Sequence, residues 1–373
     1  MTEEIFRYSP AAVSPPGATL SELIEERGIA QAELARRMGR PVNAVNEMVL
    51  GTKEITEDTA LELERVLGVP AHFWLAREAR YREFLARQRD AERAEGRVAW
   101  LDSLPLKQLQ AIGVLPAGRL TAAFKASLVD SALRFFGVAS PEGWHEQYGR
   151  VHAAFRRANP TRQTDNAAIT AWLRLGEVAA ATASANEGLA PFNAAAFQAS
   201  IPAMRALTTH PAAAIGPGLA ALCAQAGVTL LFVPPLPGTH VSGVARWLGD
   251  RPLIQLSLLG KWNDVFWFSY FHEVAHILKH LKRAVFLDDA SASATVQSKE
   301  EREADEFAAN VLIPQAERER LRKMAITPAS VHAFSRSIRV HPGIVVGCLQ
   351  HMGLVNYASP LTRLKDRYDI AAV

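Results

Sequence analysis

The sequence predicts an α+β fold that is predominantly helical, and three observations predict it. Near the start, two short helical stretches flank a glycine-containing turn. A long alanine-rich middle repeats its apolar residues at helical spacing. After Gly227, brief β-branched runs give way to helices rich in histidine and glutamate. At 373 residues the chain is long enough for two or three domains, each with its own core. The expected division is a helix-turn-helix domain with a connecting helix over 1–98, a helical middle domain over 99–226, and a C-terminal domain with a small sheet over 227–373.

The first elements follow from local chemistry. Thr19-Leu-Ser-Glu22 reads as a capping box opening a helix that Gly28 stops. Ala30 to Gly39, a turn at Arg40-Pro41, and Val42 to Gly51 then form a helix-turn-helix. Leu34, Ala35, Met38, Val45 and Val49 make its inner face, with Ala35 small enough to let the helices approach closely. Asn43 and Asn46 lie on the outer face of the second helix, where asparagine can read adenine bidentately in the major groove. Gln31, Arg40 and Lys53 are placed to touch phosphates. The second helix has no Arg or Lys between Val42 and Leu50, so phosphate attraction has to come from its flanks.

The block from Pro16 to Tyr81, with Gly51-Thr-Lys-Glu-Ile-Thr and Phe73-Trp74-Leu75, resembles the HigA-type antitoxin branch of the repressor-like helix-turn-helix family. The resemblance implies double-stranded operator DNA as a partner; units of this kind also serve as dimerisation or protein-docking modules. Because one helix-turn-helix buries little surface on DNA, a homodimer on paired half-sites is expected.

A charged helix from Ala76 to about Arg97 follows, then a middle that reads as helices, such as Ala168-Ile-Thr-Ala-Trp-Leu-Arg-Leu-Gly-Glu-Val-Ala. Arg156, Arg157 and Arg162 around Pro160 could form an anion-facing patch, but read better as a solvated loop. Val228 to Pro234 is short and β-branched, bounded by Gly227 and Pro234-Pro235, and is expected to be the first strand of the small sheet.

The chemistry is concentrated in Phe271-His272-Glu273-Val274-Ala275-His276, an H-E-x-x-H run inside an apolar helix. Residues four apart share one helix face, so His272 and His276 can offer two nitrogens to one Zn²⁺. Glu273 then sits beside the metal, where a carboxylate can take a proton from water. A catalytic site needs a third protein ligand and leaves the fourth position to water. The stretch Ser298 to Pro314 is a second helix that Pro314 ends, with Phe307, Val311 and Leu312 on its apolar stripe. Of its glutamates, Glu300, Glu301, Glu303 and Glu306, the choice falls on Glu301. Asp305 lies one i,i+4 step beyond it, positioned to accept the second N–H of a ligating imidazole. Two other readings stay open: Ser298 and Glu301 as a capping box on a solvated acidic helix, and Asp288 or Asp289 as third ligand.

The paired blocks HEVAHILKH and EEREADEFAANVLIP resemble the ImmA/IrrE family of zinc metallopeptidases. The resemblance implies a zincin-like C-terminal domain in which His272, His276 and Glu301 bind Zn²⁺, Glu273 is the general base, and Asp305 stands where the family often has Asn or Asp. Gly243 to Trp247 and Pro252 to Ser257 also fit the family, whose short strand before the metal helix could offer an edge to an extended peptide. It further implies site-specific cleavage of a repressor, or of a related antitoxin or toxin partner. Cleavage of the chain's own linker, around Arg80 to Arg97, is a variant of this. The alternative is an antitoxin-like DNA-binding repressor whose zinc site is not catalytic.

Other residues carry weaker expectations. His280, a turn past His276, is expected to support or pack beside the site rather than to ligate. Trp262, Phe266, Trp267, Phe268, Tyr270 and Phe271 are expected to pack the metal helix into its core. Tyr270, His332, His341 and His351 are the candidates for stabilising an oxyanion, among which the sequence does not choose. Cys223 and Cys348 read as buried reduced thiols. The net charge of +3 is too small to predict polyanion binding by bulk electrostatics. No run of about 18 uncharged apolar residues exists, and a start carrying Glu3, Glu4 and Arg7 is no signal peptide, so a cytoplasmic location without a membrane partner is expected.

Overall fold

The computed structural model of the chain describes residues 12–119, 121–158, 166–186, 190–257, 262–280, 286–289 and 299–368. Glu3, Glu4, Arg7, Pro160, Arg162 and Ser298 lie outside the described residues, as do the side chains of Arg156, Arg157, Asp288 and Asp289. Backbone contacts divide the chain into two compact units, Met1–Val98 with Leu120–Val129 and Ala99–Arg119 with Asp130–Val373.

The first unit contains α1 (Pro16–Glu26), α2 (Gln31–Met38), α3 (Val42–Val49), α4 (Glu57–Leu67) and α5 (Ala71–Gly96). Helix α1 begins earlier than its expected capping box: Pro15 is the N-cap, Pro16 the first helical residue, and Thr19 and Glu22 lie inside the helix. Proline at the first position explains the shift, because its fixed φ suits the helix and its missing N–H is not needed there. Gly39 ends α2 in the left-handed region at φ +67°, the turn that redirects the chain into α3. Leu34, Ala35, Met38 and Val45 are buried as expected, but Met48 takes the inward position and Val49 is only half-buried. These side chains join Leu20, Ile24, Ile55, Leu63, Leu67 and Trp74 in one core. Buried Glu78 of α5 accepts the Ile55 N–H at 3.2 Å and the Arg82 Nε–H at 2.6 Å, tying the long helix to the turn before α4. The stretch from Arg80 is helical through Gly96, so cleavage there requires the helix to unwind first.

The second unit begins with helices: α6 (Leu106–Ala111), the later part of α7 (Ala122–Phe136), α8 (Pro141–Ala158), α9 (Asn166–Asn186), α10 (Ala194–Ala206) and α11 (Ala212–Gln225). The strands β1 (Thr229–Phe232), β2 (Val241–Leu248) and β3 (Arg251–Leu256) follow, then α12 (Asn263–Lys279), β4 (Phe286–Asp289), α13 (Lys299–Leu312), α14 (Gln315–Arg322), α15 (Pro328–Ile338) and α16 (Pro342–His351). The sheet order is β1-β3-β2-β4, with β1 parallel to β3 and the other pairs antiparallel. Of the Gly243–Trp247 and Pro252–Ser257 segments, Gly243–Ala245 and Leu253–Leu256 are paired on both sides and supply no open edge. Their strands β2 and β3 are interior because β4 pairs along β2, setting Val244 opposite Leu287.

Helix α12 packs on this sheet. Trp267, Tyr270, Phe271, Val274 and Ile277 sink into a core shared with Leu230, Phe232, Ile254, Leu256 and Val346, so the aromatic run is packing, as expected. Cys223 is buried and Cys348 only partly so; both are free thiols. Truncation at the centre of the first unit should unfold it: Trp74→Ala is expected to cost about 3–5 kcal/mol. Leu50→Ala, at a site 63% exposed, should stay within about 0.5 kcal/mol. Urea unfolding followed by circular dichroism measures both, and equal losses would contradict the assignment of this core.

Candidate functional site

Helix periodicity brings the motif together. His272 and His276 are 2% exposed and their Nε2 atoms are 2.9 Å apart. Helix α13 crosses beside α12 and delivers Glu301, whose carboxylate oxygens lie 3.0 Å from His272 Nε2 and 3.7 Å from His276 Nε2. Two atoms that each bind one zinc ion at about 2.0–2.2 Å can be no more than about 4.4 Å apart. All three separations meet that limit, and two imidazoles with one carboxylate suit zinc, so the residues fit the ion. Among the described residues these three form the one cluster of potential metal donors.

The surroundings orient each donor. Asp305 Oδ1 lies 2.9 Å from His272 Nδ1, which leaves Nε2 as the metal-facing nitrogen. Burial pushes the Glu301 carboxyl up, but hydrogen bonds and charge from His272 and His276 outweigh it and bring the group down to about 2. Burial also lowers the His276 imidazolium below the ordinary range, favouring the neutral ring that a metal ligand requires.

Glu273 is fully buried beside the two histidines on α12, with its carboxylate against Gly243 of β2. A Cβ added at Gly243 would stand 2.7 Å from Glu273 Oε1 and 2.9 Å from Leu256 Cδ2, so only glycine leaves room for the carboxylate here. The sequence reading did not single out Gly243 for this. The available signal was a glycine inside a β-branched strand, which marks close approach without naming the partner.

The other candidates separate clearly. The Tyr270 hydroxyl is turned into the core, 3.2 Å from Cys223 Sγ and 3.1 Å from Met204 Sδ, which withdraws it from oxyanion stabilisation. His341 caps α16 and meets Asn263 at 2.6 Å, at the far end of α12 and about 13 Å along the axis from His272. His332 and His351 are exposed. Asp288 and Asp289 lie in β4, paired with Gly243 and Val241 of β2.

On the first unit, Asn43 and Asn46 are exposed on α3, and Lys53 is exposed just beyond it. Gln31 is half-buried at the start of α2. Arg40 is engaged by Glu62, with Nε–Oε2 at 2.5 Å and Nη2–Oε1 at 3.2 Å, so a phosphate would have to displace that carboxylate. The Glu62 hydrogen bond raises the Arg40 pKa further.

The chain thus combines a helix-turn-helix unit with a unit that gathers His272, His276 and Glu301 on paired helices. Comparison with known proteins gives the same division. Residues 20–74 match the helix-turn-helix family and residues 234–327 match the family described as the IrrE N-terminal-like domain. The chain thus carries an XRE-type helix-turn-helix domain toward its N-terminus and an IrrE/ImmA-like domain in its C-terminal part. A solved structure it resembles is an addiction module antidote protein of a HigA family from Coxiella burnetii. The identity is 29% over 22% of this chain and 92% of that one, with a TM-score of 0.21. Among curated proteins none matches the chain. No helix of the described residues is long and apolar enough to cross a membrane.

The lowered pKa of Glu301 fixes a sign for pH dependence. Its contribution to the metal-free chain is fully present above the unfolded value near 4.5 and is lost as pH falls through about 2. The stability gap between the natural chain and Glu301→Gln is therefore expected to shrink steadily from pH 5 to pH 2. Chemical denaturation across that range checks this, and a gap that widened on acidification would reverse the assignment.

Proposed function

We propose that the chain is a DNA-binding transcriptional regulator and a zinc-dependent endopeptidase that cuts a repressor or related partner protein at a specific site. The observation that carries the catalytic half is the cluster of buried His272 and His276 with partly buried Glu301, and Glu273 beside them on α12. Zinc held by the triad would polarise a peptide carbonyl and lower the pKa of water toward 7. Glu273 takes the proton released when water attacks that carbonyl and returns it to the departing amine. Gly243 keeps space for the Glu273 carboxylate, and Asp305 holds His272 in the ligating tautomer. Three protein donors among the described residues match the ligand number of a catalytic zinc site, in which the fourth position is left to water or substrate, and this favours catalysis over an antitoxin-like repressor with structural zinc.

The regulatory half rests on the exposed outer face of α3, where Asn43 and Asn46 are available to base edges while Gln31 and Lys53 hold the backbone. Helix-turn-helix proteins commonly bind two-fold sites, so the acting species is a homodimer on a palindromic operator. Because both units belong to one chain, DNA binding raises the local concentration of the peptidase around partners bound nearby.

Two experiments test these halves separately. Incubating the chain with repressors encoded beside it should give discrete cleavage, and Glu273→Gln should reduce the rate by about 10²–10⁴ while zinc content is unchanged. Undiminished cleavage by that variant would exclude Glu273 as the base. In DNA-binding titrations across salt concentrations, Asn46→Ala should relax base preference. Lys53→Ala should weaken all sequences alike and reduce the salt slope by about one; a chain with no sequence preference would make the head a docking module.

A further inference from the structure

His280 stands at the end of the metal helix, and its place there joins the metal centre to a residue that plays no part in the mechanism above. Helix α12 stops at Lys279, and His280 leaves it in an extended conformation while its N–H still meets the His276 carbonyl at 3.2 Å. A fifth helical turn would have carried the ring around the axis. Departure from the helix instead brings it back over His276, with the two Nδ1 atoms 2.8 Å apart. The His280 side chain is 5% exposed, and its other nitrogen, Nε2, lies 3.4 Å from Glu303 Oε2 on α13. Glu303 also faces Lys299 Nζ at 3.6 Å.

Proton bookkeeping gives this chain a direction. A ligand that coordinates through Nε2 carries its hydrogen on Nδ1, and that hydrogen needs an acceptor. His272 has Asp305 for this purpose. His276 has His280, which accepts at Nδ1 only as the tautomer protonated on Nε2, and that N–H points to Glu303. We propose that His280, backed by Glu303, is a positioning residue that holds His276 in its ligating tautomer, as Asp305 does for His272. The inference rests on the metal-site reading above and adds a second orienting arm. It also separates the glutamates of α13: Glu301 is the ligand, and Glu303 acts two hydrogen bonds away from the ligand His276.

The test measures zinc affinity of the full chain by competition with a chromophoric chelator, with no substrate required. His280→Leu fills the space without an acceptor and is expected to weaken zinc binding by about 10–100-fold. His280→Asn places a carbonyl oxygen close to where Nδ1 sits and should stay within a few-fold of the natural chain. Glu303→Leu, on a side chain 42% exposed and so safe for folding, should give a smaller loss in the same direction. The visible spectrum of the cobalt-loaded chain should change in His280→Leu and be restored in His280→Asn. Natural zinc affinity in His280→Leu overturns the proposal. So does His280→Asn binding as weakly as His280→Leu, because only packing would then matter. If the natural chain itself takes up no zinc, the metal-site reading fails, which is a different result.

Discussion

The desolvation of three donor groups constrains the whole C-terminal unit. His272 and His276 are 2% exposed, and Glu301 lies against both. A carboxylate taken out of water costs several kcal/mol unless it is paired and hydrogen-bonded. The arrangement meets that cost locally: the imidazoles offset the burial of Glu301, and Asp305 satisfies His272 on its far side. Such mutual satisfaction depends on the relative position of α12 and α13, which carry the two sides of these contacts. Contacts elsewhere in the unit hold the two helices in place.

The N-terminal end of α12 is fixed by groups from distant sequence. At its start, the Asn263 N–H reaches the Asp366 carbonyl at 2.9 Å, and Asp264 meets Lys365 at 2.6 Å in a pair only 12% and 6% exposed. Trp267 donates to the Tyr368 hydroxyl at 3.0 Å, while the Arg367 guanidinium lies 4.5 Å from the Trp262 ring centre. Removing one partner of a buried ion pair typically costs about 3–5 kcal/mol, because the other charge is stranded. Helix α13 is held in turn by Arg205 of α10, which donates to the Val311 and Leu312 carbonyls at 2.7 and 3.0 Å. Those are carbonyls that a helix end leaves without intrahelical partners.

What the sequence revealed and what it concealed divide along sequence separation. The spacing of His272 and His276 was legible because four residues on a helix define one face, and the Glu301–Asp305 step follows the same rule. The helix-turn-helix was legible for a similar reason, since Gly39 and Pro41 punctuate two short amphipathic stretches. Contacts across long separations left no such trace. Gly243 precedes Glu273 by a whole strand and a hairpin, and nothing local says which side chain will occupy the space its missing Cβ leaves. Strand β4 was concealed because Phe286 to Asp289 is too short to carry a period, so its closure of the β2 edge emerges only from pairing. Arg40 read as a free cation because Glu62 lies on another helix. At the start of α1, two signals competed, and the proline pair prevailed over the capping box.

The apolar core, rather than the donor cluster, sets the conformation of α12. Trp267, Tyr270, Phe271 and Val274 are each fully buried, and full burial of a large apolar side chain stabilises by about 1.5–3 kcal/mol. Their sum exceeds what a pair of neutral imidazoles could cost. The motif can thus occupy a helix that would form and pack on the sheet for reasons unrelated to chemistry. Glu273 occupies a position opposite Gly243 of β2, where the missing side chain leaves it space. This separates two demands that would otherwise conflict. Stability is carried by aromatic rings on one part of the helix surface and the candidate metal donors lie on another, so the donors can be substituted while the aromatic packing of the scaffold persists.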